Sequence, residues 1–151
     1  MSIYCVFMCF QYIMLILSLV FNKVPFLHLM NNEESIINYV LRNELASRNI
    51  PVRENATFKF GRKKYVIDFY LNGHDIGIVT MNWKRTIPTN KLLQLEQLII
   101  SLKLKKLVLI CNSISTNAKD FLARRNIPIQ VIHLNEILYK ERRIEDLIAS
   151  Y

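Results

Sequence analysis

Apolar residues recur along this chain with several distinct periods, and each period marks a different kind of element. Ile36, Ile37, Val40, Leu41 and Leu45 fall at helical spacing, so Glu33 to Arg48 reads as an amphipathic helix. Ile50-Pro51 breaks it, because the residue before a proline is driven out of the helical region. Val52 to Phe60 (VRENATFKF) tends to alternate polar with apolar, the pattern of a partly exposed strand. Gly61-Arg62-Lys63-Lys64 makes a basic turn, Lys64 to Leu71 a second strand, Asn72-Gly73 a hairpin turn, and Asp75 to Lys84 a third strand.

Beyond the hairpin the period lengthens again. Pro88-Thr89-Asn90 opens a helix with Leu92, Leu95, Leu98, Ile99 and Leu102 on one face. KLVLIC, Lys106 to Cys111, is continuously apolar after its first residue, the mark of a strand covered on both sides. Ser115 to Asn126 predicts a helix buried through Ala118, Phe121 and Leu122, Ile129 to Leu134 a last strand, and Asn135 to Ala149 a charge-rich last helix. The order α-β-β-β-α-β-α-β-α implies an α/β fold: a three-strand meander and a right-handed crossover make a mixed sheet flanked by helices. A flavodoxin-like doubly wound sheet is the alternative, weakened by three consecutive strands from Val52 to Lys84 with no helix between them.

One stretch belongs to no such pattern. Ile3 to Phe21 is interrupted only by Gln11 and Ser18, about the ~20 apolar residues that cross a bilayer core. No positive charge precedes the run and no small-x-small site follows it, so a secretory signal fits poorly. Two readings of residues 1–29 stand. One is a single membrane anchor, with Lys23 and the basic remainder placing the domain on the cytoplasmic side. The other is a gene start set too early, with Met30 as the native start: Asn31 and Asn32 would cap a helix whose first turn carries Glu33 and Glu34. Residues 30–151 form the domain in either case, cytoplasmic under the second.

Charge sharpens the functional question. Past Asn31 there are nineteen lysines and arginines against twelve acids, a net +7 that suits a polyanionic partner. Cys5, Cys9 and Cys111 make neither a disulfide framework nor a zinc pattern, and read as small apolar residues in a reducing compartment. His28, His74 and His133 are scattered without ligand spacing, and glycine is too scarce for a phosphate-cradling loop. The chemistry that remains lies in YVIDFYLNGHDIGIVTMNWKR, Tyr65 to Arg85: one aspartate, Asp68, in an apolar strand, then Asn82-Trp83-Lys84.

The element order, together with the segments IDF, TMNWK and AKDFLARRNIPIQVI, resembles the PD-(D/E)xK, or restriction-endonuclease-like, superfamily over roughly Glu33 to Leu134. Its small archaeal members, Holliday-junction resolvases and related nuclease-like domains, are the nearest in flavour. The resemblance implies a deoxyribonuclease, endo- or exo-acting, in which Mg²⁺ or Mn²⁺ neutralises the phosphodiester and activates a water. It makes Asp68 the first metal ligand, Trp83 a main-chain ligand and Lys84 the water-orienting lysine. Asn82 stands where the family has an acid. An amide oxygen can bind Mg²⁺ but brings no charge, so metal affinity and activity should fall. Glu34, early in the first helix, is a candidate further ligand; Glu54 and Asp75 are weaker ones, Asp75 being better read as a turn residue. Gln94 and Gln97 mark the polar face of the helix after the hairpin, where relatives place a site residue.

Arg62, Lys63, Lys64, Arg85 and Lys91 cluster around this stretch and would contact DNA phosphates, branched or single-stranded DNA being the partner the relatives imply. Trp83, Tyr65 and Tyr70 would stack on bases or pack in the core. Relatives often dimerise, which makes a homodimer a further expectation. Two functions follow: a metal-dependent nuclease weakened by Asn82, or an inactive nucleic-acid-binding or scaffolding module of the same fold. A membrane is a partner only if residues 1–29 are genuine.

Overall fold

The structure is a computed structural model and describes residues 33–149. The apolar run, the start at Met30 and the caps Asn31 and Asn32 lie outside the described residues. The elements are α1 (Glu33–Ser47), β1 (Arg53–Phe60), β2 (Lys63–Leu71), β3 (Ile76–Met81), α2 (Thr89–Leu102), β4 (Lys106–Cys111), α3 (Thr116–Arg125), β5 (Ile129–His133), α4 (Leu134–Leu138) and α5 (Ile144–Ala149). Among the described residues no helix is long and apolar enough to cross a membrane.

The five strands form one sheet in the order β1-β2-β3-β4-β5. β1, β2 and β3 pair antiparallel, while β3, β4 and β5 pair parallel through the crossover helices α2 and α3. The antiparallel meander excludes the doubly wound alternative. Helices cover both faces, which is why β4 is buried at all six positions. Val108 and Ile110 pack with Ile37, Leu41 and Leu45 of α1, Leu134 and Ile137 of α4, and Ile144 and Leu147 of α5. Leu107, Leu109 and Cys111 turn the other way, onto Leu92, Leu95, Leu98 and Ile99 of α2 and Ala118 of α3. Each such side chain contributes about 1.5–3 kcal/mol on burial, so the two layers together fix which residues of β2 and β3 stay near solvent.

Turn chemistry reflects the scarcity of glycine. Gly61, at φ 59, takes the first central position of the two-residue β1–β2 turn, where a type II′ hairpin calls for glycine. The β2–β3 turn spans four residues, His74 N–H closing on Leu71 C=O at 3.1 Å, and its left-handed residue is Asp75 rather than Gly73. Asn49 and Asn126 take the same conformation after α1 and α3, and Lys103 takes it after α2 without the help of a short side chain.

Two predicted elements come out differently. The last helix is broken in two: α4 opens at His133, whose imidazole Nδ1 accepts from Asn135 N–H, and stops at Tyr139 ahead of left-handed Lys140. The third strand ends at Met81, not Lys84. Met81 pairs with Cys111, the last residue of β4, and β2 has already left on the other side, so beyond Met81 no ladder remains on either edge. Asn82, Trp83 and Lys84 therefore lie in a loop, where no strand pleat sets Asn82 and Lys84 on one face.

Candidate functional site

The departure of β2 from β3 creates the region. β2 pairs with β3 only over Phe69–Leu71, while its first half pairs with β1 alone. At the same rung both strands of the β1–β2 hairpin switch face: Asn55 is left-handed (φ 48), the ladder skips the Asn55–Asp68 pair, and alternation is lost. Tyr65 and Ile67 pack toward α2, whereas Phe69 and Leu71 pack toward α1. Asp68 sits at this dislocation, half-buried, on the α1 side.

Its partners are on β3 and α1. Asp68 Oδ2 accepts from Thr80 N–H at 2.7 Å and from the Thr80 hydroxyl at 3.1 Å. The same hydroxyl lies 3.1 Å from Asn38 Oδ1. A hydroxyl has one proton, and the charged carboxylate is the stronger acceptor. Asn38 then completes the chain with its amide turned to donate from Nδ2. Asp68 thus supplies the acceptor that the β2 backbone no longer offers Thr80. The residue of β3 that meets Asp68 is Thr80, two positions before Asn82.

Asn82 and Trp83 are held from elsewhere. Asn112, just past β4, donates from Nδ2 to Asn82 Oδ1 at 3.0 Å and to the Trp83 carbonyl at 3.0 Å. The far end of the loop is pinned by Ile87 N–H on Ser113 C=O (3.0 Å) and Ser115 N–H on Ile87 C=O (3.1 Å). The two oxygens that the resemblance would give to a metal are thus engaged by one amide nitrogen, whose hydrogens stand where a cation's positive charge would have to be. Among the described residues no three His, Cys, Asp or Glu side chains group so as to hold a metal ion.

The other candidates are dispersed. Lys84 is exposed in the bend after Trp83. Glu34 lies one helical turn before Asn38 in α1, and its side chain is outside the described residues. Glu54 is tied to Arg42 by two bonds of 2.7 Å, and these bonds hold its carboxyl below the usual carboxylate range. Asp75, a turn residue, faces Lys105 at 3.7 Å. Gln97 is exposed on α2, and Tyr70 is spent on packing, edge-on to Phe58 at 5.5 Å.

What the splay does gather is a groove of about 570 Å³ on the α2 side. Lys63, Lys64, Tyr65 and Val66 form the β2 wall, Lys91 and Gln94 stand on the α2 wall, and Val79, Met81, Leu95 and Leu98 complete the lining. Lys91 Nζ donates to Gln94 Oε1 (3.1 Å) and sits 5.4 Å from the centre of the Trp83 ring, with the Arg85 guanidinium 5.6 Å from it. The clamp on Trp83 therefore also sets where Lys91 and Arg85 can stand. Arg62 is exposed in the β1–β2 turn.

The sequence marks Leu95 and Leu98 only as the apolar face of their helix, and it gives no separate role to Thr80, Asn38 or Asn112. Only Thr80 left a trace there, as a polar residue following Ile76 and Ile78 at period two. No family model matches the chain, and comparisons with curated proteins and with solved structures give no match.

Proposed function

We propose that this domain is a restriction-endonuclease-like fold that binds nucleic acid without cutting it. One observation carries the reading: the Asn112 amide donates to both Asn82 Oδ1 and the Trp83 carbonyl, the oxygens a Mg²⁺ or Mn²⁺ ion would need. Mg²⁺ demands near-octahedral oxygen ligands and is usually held by one or two carboxylates. Here Asp68 is the only carboxylate of the motif, and one of its oxygens already accepts two bonds from Thr80. In the register set by the Asp68–Thr80 contact, the three-residue motif reads Thr80-Met81-Asn82, with neither acid nor lysine. The donor set does not fit a resident divalent ion.

Binding has the better support. Arg62, Lys63, Lys64, Arg85 and Lys91 present five cations around the groove and its loop, on a chain with formal net charge +8. If all five meet phosphates, log K should fall with log salt at a slope of about −3 to −5. The test uses the full chain, kept in mild detergent, with labelled single-stranded, branched and duplex DNA and with Mg²⁺ or Mn²⁺ added. Salt-dependent binding with intact DNA is expected. Cleavage that disappears in Asp68→Asn and Lys84→Ala would overturn the proposal and restore the nuclease.

A further inference from the structure

The groove has a chemistry that phosphate binding alone does not require. Its lysines stand on two walls, Lys63 and Lys64 on β2 and Lys91 on α2, while half-buried Met81 and the edges of the buried Val79, Leu95 and Leu98 form the floor between them. A surface that only tracks a phosphate backbone needs positive charge and hydrogen-bond donors. An apolar lining between cationic walls fits a flat, weakly polar body joined to anionic groups, which is the make-up of a nucleotide whose base is not stacked on its neighbours.

Resting on the nucleic-acid reading above, we infer that the groove receives an unstacked base of a single strand, with Lys63, Lys64 and Lys91 on the adjoining phosphates. In a duplex the base faces are covered by stacking, and only base edges reach the grooves. A single strand exposes a π-face at every residue, and seating one on apolar or aromatic side chains needs no particular sequence. Gln94 provides an amide on the α2 wall; its oxygen is fixed by Lys91, so its N–H₂ is left to donate toward acceptors on a base edge. Tyr65 adds an aromatic ring to the β2 wall, and Trp83 keeps Lys91 near the rim. The splay of β2 from β3 is what opens this space, and the same splay occupies Asp68 with Thr80.

The experiment measures anisotropy of a labelled oligothymidylate of about 12 residues, within the span of a single-strand site, against a hairpin duplex of equal charge. Both are bound to the full chain in mild detergent. Single-strand affinity should exceed duplex affinity by roughly tenfold, the scale of one seated base. Met81→Trp, which fills the groove, should remove that preference. Gln94→Trp, made at an exposed position on the α2 wall, repeats the block without touching the core. Circular dichroism checks that each variant folds. Equal affinity for the two probes, or a single-strand preference that survives both blocking variants, overturns the base-in-groove inference while nucleic-acid binding stands. Binding of neither probe overturns both. Displacement of the oligonucleotide by anionic phospholipid in mixed micelles, relieved by the same blocking variants, would assign the groove to lipid and overturn it too.

Discussion

Replacing Asp68 with alanine removes the side chain that bridges β2 to β3 where their ladder ends. Two bonds are lost, from Thr80 N–H (2.7 Å) and from the Thr80 hydroxyl (3.1 Å). Bonds to a charged group contribute about 1.5–3 kcal/mol, and a buried donor left without a partner costs about 1–3 kcal/mol. Thr80 is only 6% exposed, so water reaches its N–H poorly. Asp68 is half-buried, so water entering the space left by its side chain restores part of the loss. Together these give a destabilisation of about 2–4 kcal/mol, or a fall in Tm of about 10 °C for a domain of this size. Asp68→Asn keeps an acceptor oxygen and should lose about 1 kcal/mol. Thermal melts of the full chain in mild detergent, followed by circular dichroism at neutral pH, measure both. The sign separates the two roles argued for this residue. A carboxylate poised for a metal is held at a cost in stability, so truncating it often stabilises, whereas a strut always loses. An Asp68→Ala protein that melts at or above the parent temperature would refute the strut.

Three other substitutions probe separate parts of the fold. Asn112→Ala should release the Trp83 carbonyl and the Asn82 side chain, change the fluorescence of the single tryptophan, and weaken DNA binding through the displaced Lys91 and Arg85; unchanged emission and affinity would show that the clamp does not set the loop. Lys106 is buried, with Nζ donating to the Leu147 carbonyl at 2.9 Å, and its ammonium pKa is lowered by burial and then by the Arg142 charge. The unfolded chain therefore holds this proton more tightly, and the contribution to stability rises as pH climbs from the lowered folded value toward 10.5. Urea midpoints across that range should show the rise in the parent and lose it in Lys106→Met. Lys103→Gly, at a left-handed C-cap (φ 54), should raise stability by about 0.5–1 kcal/mol; a lower urea midpoint would contradict the strain assigned there.

Much of the scaffold was legible because its signals are local. The i, i+3, i+4 spacing of Leu92, Leu95, Leu98 and Ile99 is a property of that segment alone, and so is the unbroken KLVLIC run. The helix expected from Asn135 to Ala149 breaks because charge permits a helix there but does not ensure one, and Lys140 turns left-handed in the middle of it. The site was half legible. Asp68 stood out as an acid in an apolar strand, and the lysines around Trp83 as a cluster. A third strand running to Lys84 outreaches its ladder, because a strand stops where its neighbours do and no local pattern marks that point.

The sequence by itself determined the element order, the two-sided burial of β4 and the excess of positive charge, since hydrophobic period and composition act over a few residues. Tertiary structure decided what Asp68 and Asn82 do. The strand dislocation at Asn55 and Asp68 opens β2 from β3, Thr80 takes the carboxylate, and Asn112, thirty positions beyond Asn82, takes the remaining oxygens. Those partners are set by how strands pair and where ladders stop, and no window of sequence around Asp68 or Asn82 contains that information.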